Sequence, residues 1–310
     1  MTLHKYKHPI IFMAAQGKCG KVYMAAMLKA AIQYKGFSEQ HNKVIIKEHG
    51  KSSHEWLVRQ MGTHDIVGFH EPTKYLIDHL PSYRRYNFNQ AVTKCQKMWD
   101  TFTVPRLNEY TPKGVMVDAE SKFIVISYYF IKKHIHPDSM KIILMRRPLS
   151  SIAYQNCRVN AYSILQGKYY IGNLVPPWCK NNLTVPHIPI DEITKQELSV
   201  WYAFEMEERK RAIKEYFPDV ETMEWDMEVD SKSLDSLDRL MEFASSKHQK
   251  LTATPWMQNI ITKQSIIHRG PNKCHNACKG KTPCTEEYFD EVVKNHKIVY
   301  NTEKHREGLL

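Results

Sequence analysis

The chain has 310 residues, 42% of them hydrophobic and 25% charged, the balance of an ordinary soluble globule, and no apolar run nears the ~20 residues that span a bilayer. Forty-four Lys and Arg against 33 Asp and Glu leave a net charge of +11, which favours an anionic ligand without choosing among nucleotide, acidic substrate and nucleic acid. Seven scattered cysteines suit a reducing compartment better than a disulfide framework. The polar residues 1–8 leave no room for a signal peptide, so a cytoplasmic protein is expected.

Residues 10–14 form an apolar run that reads as a buried strand. A tight loop follows, Gln16-Gly17-Lys18-Cys19-Gly20-Lys21, and then a helix rich in Ala, Met and Leu. Residues 43–50 read as a short strand ending in Lys47, Glu48 and His49, residues 53–61 as a helix and 65–69 as a further strand. From His79 the chain enters a loop rich in Tyr, Arg and Asn that reaches Tyr110, and residues 111–114 carry a turn signal. Residues 121–134 read as a helix. Residues 140–145 are a clear buried strand, closed by Arg146-Arg147-Pro148 and followed by a helix over 149–161. Residues 166–192, with many Pro, Gly and Asn, read as a long surface loop. A helix over 197–216 is stopped by Pro218; a strand over 220–225 and helices over 234–244 and 285–295 complete the chain. Alternating strands and helices argue for one α/β domain over residues 1–310, with a mainly parallel sheet covered on both faces. The segments 80–110 and 166–192 are expected to supply much of a substrate pocket.

The first strand, glycine loop and helix N-terminus together make an anion site. Glycines let backbone N–H groups turn toward a ligand, the helix end adds partial positive charge, and Lys18 and Lys21 add full charges. Against the Walker A pattern G-x-x-x-x-G-K-[ST], Ala15 stands where the first glycine should be and Val22 where the magnesium hydroxyl should be. A metal-held triphosphate suits that loop poorly; a group transfer without a metal does not suffer from Val22.

At this loop the chain resembles the P-loop sulfotransferases that use PAPS (3′-phosphoadenosine 5′-phosphosulfate). Their loop, a basic residue followed by Ser-Gly-Thr-Thr and an aromatic, falls on Lys18-Cys19-Gly20-Lys21-Val22-Tyr23. The resemblance implies that Gly17 through Val22 hold the 5′-phosphosulfate, that Lys18 sits on the bridging oxygen of the leaving phosphate, and that Tyr23 stacks on adenine. Three later segments are similar in the same order. Arg146-Arg147-Pro148 after a strand looks like the 3′-phosphate motif, with Tyr154 in place of its serine. Glu224-Trp225-Asp226-Met227 looks like Tyr-Glu-Asp-Met, placing Trp225 by the cofactor. His268-Arg269-Gly270 looks like the C-terminal Arg-Lys-Gly loop, so that Arg269 and Gly270 would also grip the 3′-phosphate. The implied fold is the P-loop-type three-layer sandwich.

Sulfuryl transfer needs a base for the acceptor hydroxyl and a cation for the departing oxygen. Lys18 suits the second role. For the first, His49 resembles the histidine that ends the family's second strand; Glu48 and His79 are the alternatives. The expected donor is PAPS, giving PAP, with no metal, and the acceptor is a small molecule or carbohydrate of aromatic or anionic character. Cys274, Cys278 and Cys284 do not have the paired spacing of a zinc site, and the basic, aromatic residues 83–88 read as a substrate-facing loop rather than a nucleic-acid surface. Two other readings stay open: an inactive sulfotransferase-like nucleotide-binding protein, since several loop hydroxyls are missing, and a metal-dependent P-loop kinase of small molecules.

Overall fold

Ile10–Ala14 forms β1, the middle strand of a five-stranded sheet, and all five of its side chains are buried. An unbroken apolar strand is what a parallel sheet covered on both faces demands. The computed structural model describes residues 3–15, 19–32, 68–69, 93, 96–97, 99–112, 114–119, 123–158, 162–165, 168–171, 182–189, 192–262 and 285–301.

After β1 come α1 (Lys21–Ile32), β2 (Gly68–Phe69), a π-helical turn (Trp99–Thr103) running into α2 (Val104–Tyr110), and β3 (Met116–Asp118). A second π-helical turn (Phe123–Ser127) leads into α3 (Tyr128–Ile131), then β4 (Met140–Arg146) and α4 (Leu149–Arg158). The strands β5 (Tyr162–Leu165), β6 (Lys168–Ile171) and β7 (Thr184–Val185) precede the longest described helix, α5 (Lys195–Tyr216), which feeds β8 (Glu221–Asp226). The helices α6 (Leu234–Ala244), α7 (Pro255–Thr262) and α8 (Glu286–Asn295) follow, and β9 (Val299–Tyr300) ends the described chain.

The sheet order is β2-β3-β1-β4-β8, and every neighbouring pair is parallel. After β1 the chain builds β2 and β3 on one side and β4 and β8 on the other, so β1 lies at the point where strand order reverses. Ligands of such sheets gather beyond the carboxyl ends of the strands at that point.

Alternate residues serve opposite faces. Ile10, Phe12, Ala14, Ile142 and Leu144 pack with Phe123 and with Trp201, Met206 and Ile213 of α5. Ile11, Met13, Ile143 and Met145 pack with Met24 and Leu28 of α1 and Leu237 and Leu240 of α6. A smaller cluster, Tyr154, Cys157, Val200 and Phe289, joins α4, α5 and α8.

Helix α5 begins with a reciprocal cap. The Thr194 hydroxyl accepts from Glu197 N at 3.2 Å while the Glu197 carboxylate accepts from Thr194 N at 2.9 Å, satisfying two otherwise orphaned donors. Further along, Glu205 is fully buried. Its carboxylate accepts from Arg209 Nε at 2.7 Å, Leu183 N at 3.1 Å and Thr184 N at 2.7 Å, and Arg209 also donates to Asn182 Oδ1 and the Val125 carbonyl, each at 3.2 Å.

Within the surface loop expected over 166–192, that network corrects the expectation for residues 182–184. Asn182 and Thr184 are buried, β7 pairs with β9, and β5 pairs with β6 as an antiparallel hairpin. The polar composition of residues 182–184 finds its partners in a buried carboxylate instead of water. Within the expected loop of 80–110, residues 99–110 are helical, and Pro105 sits in the first turn of α2, where a missing N–H costs nothing. The short strand β3 and the helix α7 were not anticipated; three residues are too few to show a period. Expectations for residues 43–50 and 53–61 lie outside the described residues.

Candidate functional site

The carboxyl ends of β1, β4 and β8 converge beside the start of α1. Gly20 carries a φ of +79°, and a Cβ there would stand 2.5 Å from the Met227 side chain, which projects from the turn after β8. Two constraints therefore coincide: a left-handed backbone and a close approach, both of which only glycine meets without strain. The Gly20 carbonyl accepts from Met24 N at 3.0 Å, closing the first turn of α1. Lys21 opens that helix and is buried, Val22 is its second residue, and no acidic residue occupies its first turn.

Cys19 is fully buried among apolar neighbours. Burial pushes its thiol up to about 11, and the Glu207 charge adds to this, against the opposing charges of Lys210, Arg147 and Lys21. Such a thiol stays protonated and is not a nucleophile at neutral pH. Tyr23 lies within the same core at 8% exposure. Its hydroxyl donates to the Ser231 carbonyl at 3.4 Å, and burial raises it to about 12.

Arg146 ends β4 and is exposed, with its guanidinium 3.1 Å from Glu224. The Arg146 carbonyl accepts from Met227 N at 3.0 Å, which ties the end of β4 to the turn after β8. Arg147 donates from Nε to Glu228 at 3.1 Å. That turn is itself held by carboxylates: Asp226 accepts from Glu228 N at 2.8 Å, and Asp230 from Asp226 N at 2.7 Å. Trp225 is buried in the α1-side core, and its indole N–H finds no hydrogen-bond partner among the described residues. Tyr154 is buried against Phe289, with ring centroids 5.9 Å apart.

Of the residues singled out from the sequence, Cys19, Gly20, Lys21, Val22 and Arg146 lie together at the carboxyl end of the sheet. Tyr23 and Trp225 lie in the core beneath, and Tyr154 in the α4–α5–α8 cluster. Gly17, Lys18, Glu48, His49, His79, Arg269 and Gly270 lie outside the described residues.

Two residues at this end escaped the sequence reading. Lys210 of α5 donates from Nζ to the Met145 carbonyl at 2.8 Å and to Glu207. The signal was present: Met206, Lys210, Ile213 and Phe217 recur at helical spacing, so Lys210 occupies a place in a buried stripe. Asp118 ends β3 opposite Phe12 of β1 and is buried; the run Val115-Met116-Val117-Asp118 marked it as a carboxylate closing an apolar strand.

Among the described residues no helix is long and apolar enough to cross a membrane, and no group of three or more His, Cys, Asp or Glu is arranged to hold a metal. Comparison of the chain with protein-family models, with curated proteins and with solved structures finds no match.

Proposed function

We propose that the protein is a PAPS-dependent sulfotransferase that moves the sulfuryl group to a hydroxyl or amine of a small-molecule or carbohydrate acceptor. One observation carries the reading. A left-handed glycine and a helix N-terminus with a buried lysine lie at the strand-order reversal of a parallel sheet, with Arg146 at the end of the adjoining strand. The first group suits the phosphosulfate; the second cation suits the 3′-phosphate, a charge that ATP lacks. The pair between Arg146 and Glu224 is solvent-exposed on both sides and so is worth about 1 kcal/mol or less. Arg146 can exchange that partner for a phosphate at little cost.

In this reading the loop amides and Lys21 orient the donor, and Lys18 neutralises charge gathering on the bridging oxygen as the S–O bond breaks. His49, with Glu48 or His79 as alternatives, takes the acceptor proton as the new bond to sulfur forms. The test is thermal unfolding with 3′,5′-ADP (PAP) and, separately, ATP with Mg²⁺. PAP at a hundredfold excess over its Kd should stabilise the protein by about 2.7 kcal/mol, ATP·Mg²⁺ should not, and Arg146→Ala should shrink the PAP shift. A PAP-indifferent protein would sink the proposal.

A second reading, a magnesium-dependent kinase of small molecules, gains from Asp118. A carboxylate at the end of the strand beside the phosphate loop is where P-loop NTPases hold the ion. In that case Mg²⁺·ATP gives the larger shift, and Asp118→Asn abolishes it.

A further inference from the structure

Lys210 stands apart from the residues that the sulfotransferase reading uses. It belongs to α5, more than 60 residues beyond β4 in the chain, yet its ammonium is anchored on the Met145 carbonyl. Ala14 of β1 pairs in register with Leu144, so Met145 is level with Ala15, where the loop leaves the sheet. Only 3% of Lys210 is exposed. Its partner Glu207 lies one turn earlier on α5 and keeps 28% of its side chain in solvent. The pair is therefore a buried dipole with the lysine as its sequestered end, and of the charges around Cys19 the Lys210 ammonium acts on it most.

We infer that Lys210 is a positioning residue of the anion site: its buried charge, held against the end of β4, supplies a fixed positive field at Cys19 and the entry to α1, and Glu207 moderates that field. A charge at this depth is little screened by salt. At an effective dielectric near 20, a unit charge within about 10 Å of an anion is enough to change its affinity by about tenfold. The role rests on the phosphate-binding reading of the loop. It adds a prediction that this reading does not make, because Lys210 should matter in proportion to the ligand's charge.

The experiment measures dissociation constants of PAP, AMP and adenosine for the wild type, Lys210→Met, Glu207→Gln and the double variant. Lys210→Met should weaken PAP by about tenfold or more, AMP by less, and adenosine not at all. Glu207→Gln, at the wetter end of the pair, should change affinity in the opposite sense, and the double variant should return toward wild type. A residue that merely props the fold would weaken all three ligands together, and that result would overturn the inference. So would PAP binding that neither variant alters. If Lys210→Met does not fold, the sign of the Glu207→Gln effect decides alone: weaker or unchanged PAP binding overturns the inference. If the wild type binds neither PAP nor AMP, the functional reading itself falls and takes this one with it.

Discussion

The helices that cover the two faces of the sheet, α5 and α1, are held by different means. On the α5 face, charged side chains come in pairs: Glu205 with Arg209, Glu207 with Lys210, and Glu224 with both Lys214 and Arg146. The helix is capped by Thr194 and carries Glu197 in its first turn. On the α1 face, Met24, Ala25, Met27, Leu28 and Ala30 supply small or pliant apolar groups, and the first turn of the helix has a lysine and no acid. Directional pairs specify where α5, β7 and the end of β4 must sit. Apolar packing is non-directional and fills the space under α1, whose positive N-terminal end meets no acidic side chain in its own first turn. The candidate site lies along the seam, with Gly20 and Lys21 at the entry to α1 and Arg146 at the end of β4.

The largest break in this contrast should come from the α5 face. Arg209→Leu strands a fully buried carboxylate and removes the donor that joins α5 to Asn182 and Val125. Loss of one partner from a buried pair costs about 3–5 kcal/mol, readable as a fall in the denaturant midpoint. A loss under ~1 kcal/mol would mean that the α5 face, too, is held by apolar packing.

A smaller effect is expected at the seam. Gly20→Ala forces a β-carbon into the left-handed region and against Met227, at a cost of about 1–3 kcal/mol. Met227→Ala in the same chain should recover the contact part of that loss and leave the backbone part. PAP binding should fall with Gly20→Ala in both backgrounds, because the loop's shape has changed.

The smallest effect is one of pH. His296, which follows α8, stacks on Phe204 of α5 with centroids 4.7 Å apart and meets His187 edge-on at 4.7 Å. Burial, then the neighbouring His187, lowers His296 to about 4, against a weaker upward pull from Glu197. Unfolded, the ring titrates near 6.5, so between these values the unfolded chain binds more protons. The stability this ring contributes is full above about 6.5 and drains as the pH falls toward 4. Discounted for its partial exposure, the loss is on the order of 1–2 kcal/mol. His296→Phe should flatten the decline in thermal midpoint over that range; an unchanged pH profile would remove the ring as its source.

The elements legible in the sequence were those whose pattern is local and long enough to repeat. Residues 10–14 and 140–145, which are apolar runs, and 220–225, also expected as a strand, became β1, β4 and β8; Leu234–Ala244 matches its expected bounds, and α5 starts within two residues of expectation. The left-handed Gly20 at the entry to α1 was legible as well, because the glycine and the helix it precedes are neighbours in the chain. What escaped were features whose partners are distant. Residues 182–184 looked like loop because the carboxylate that satisfies them is Glu205, some 20 residues on. Lys210 went unremarked because the group it donates to, the Met145 carbonyl, lies 65 residues earlier in the chain.

The sequence by itself determined an alternating α/β chain, the place of its first strand and of the glycine before α1, and a net charge of +11. Periodicity and backbone preference act over a few residues, so these features needed nothing from the rest of the chain. Only the tertiary structure decided that β1 lies at the reversal of strand order, that Met227 abuts Gly20, and that α5 brings Lys210 onto the Met145 carbonyl at the end of β4. Those are contacts between segments 60 to 200 residues apart. They are settled by which faces can be buried together, a property of the folded whole that no local pattern encodes.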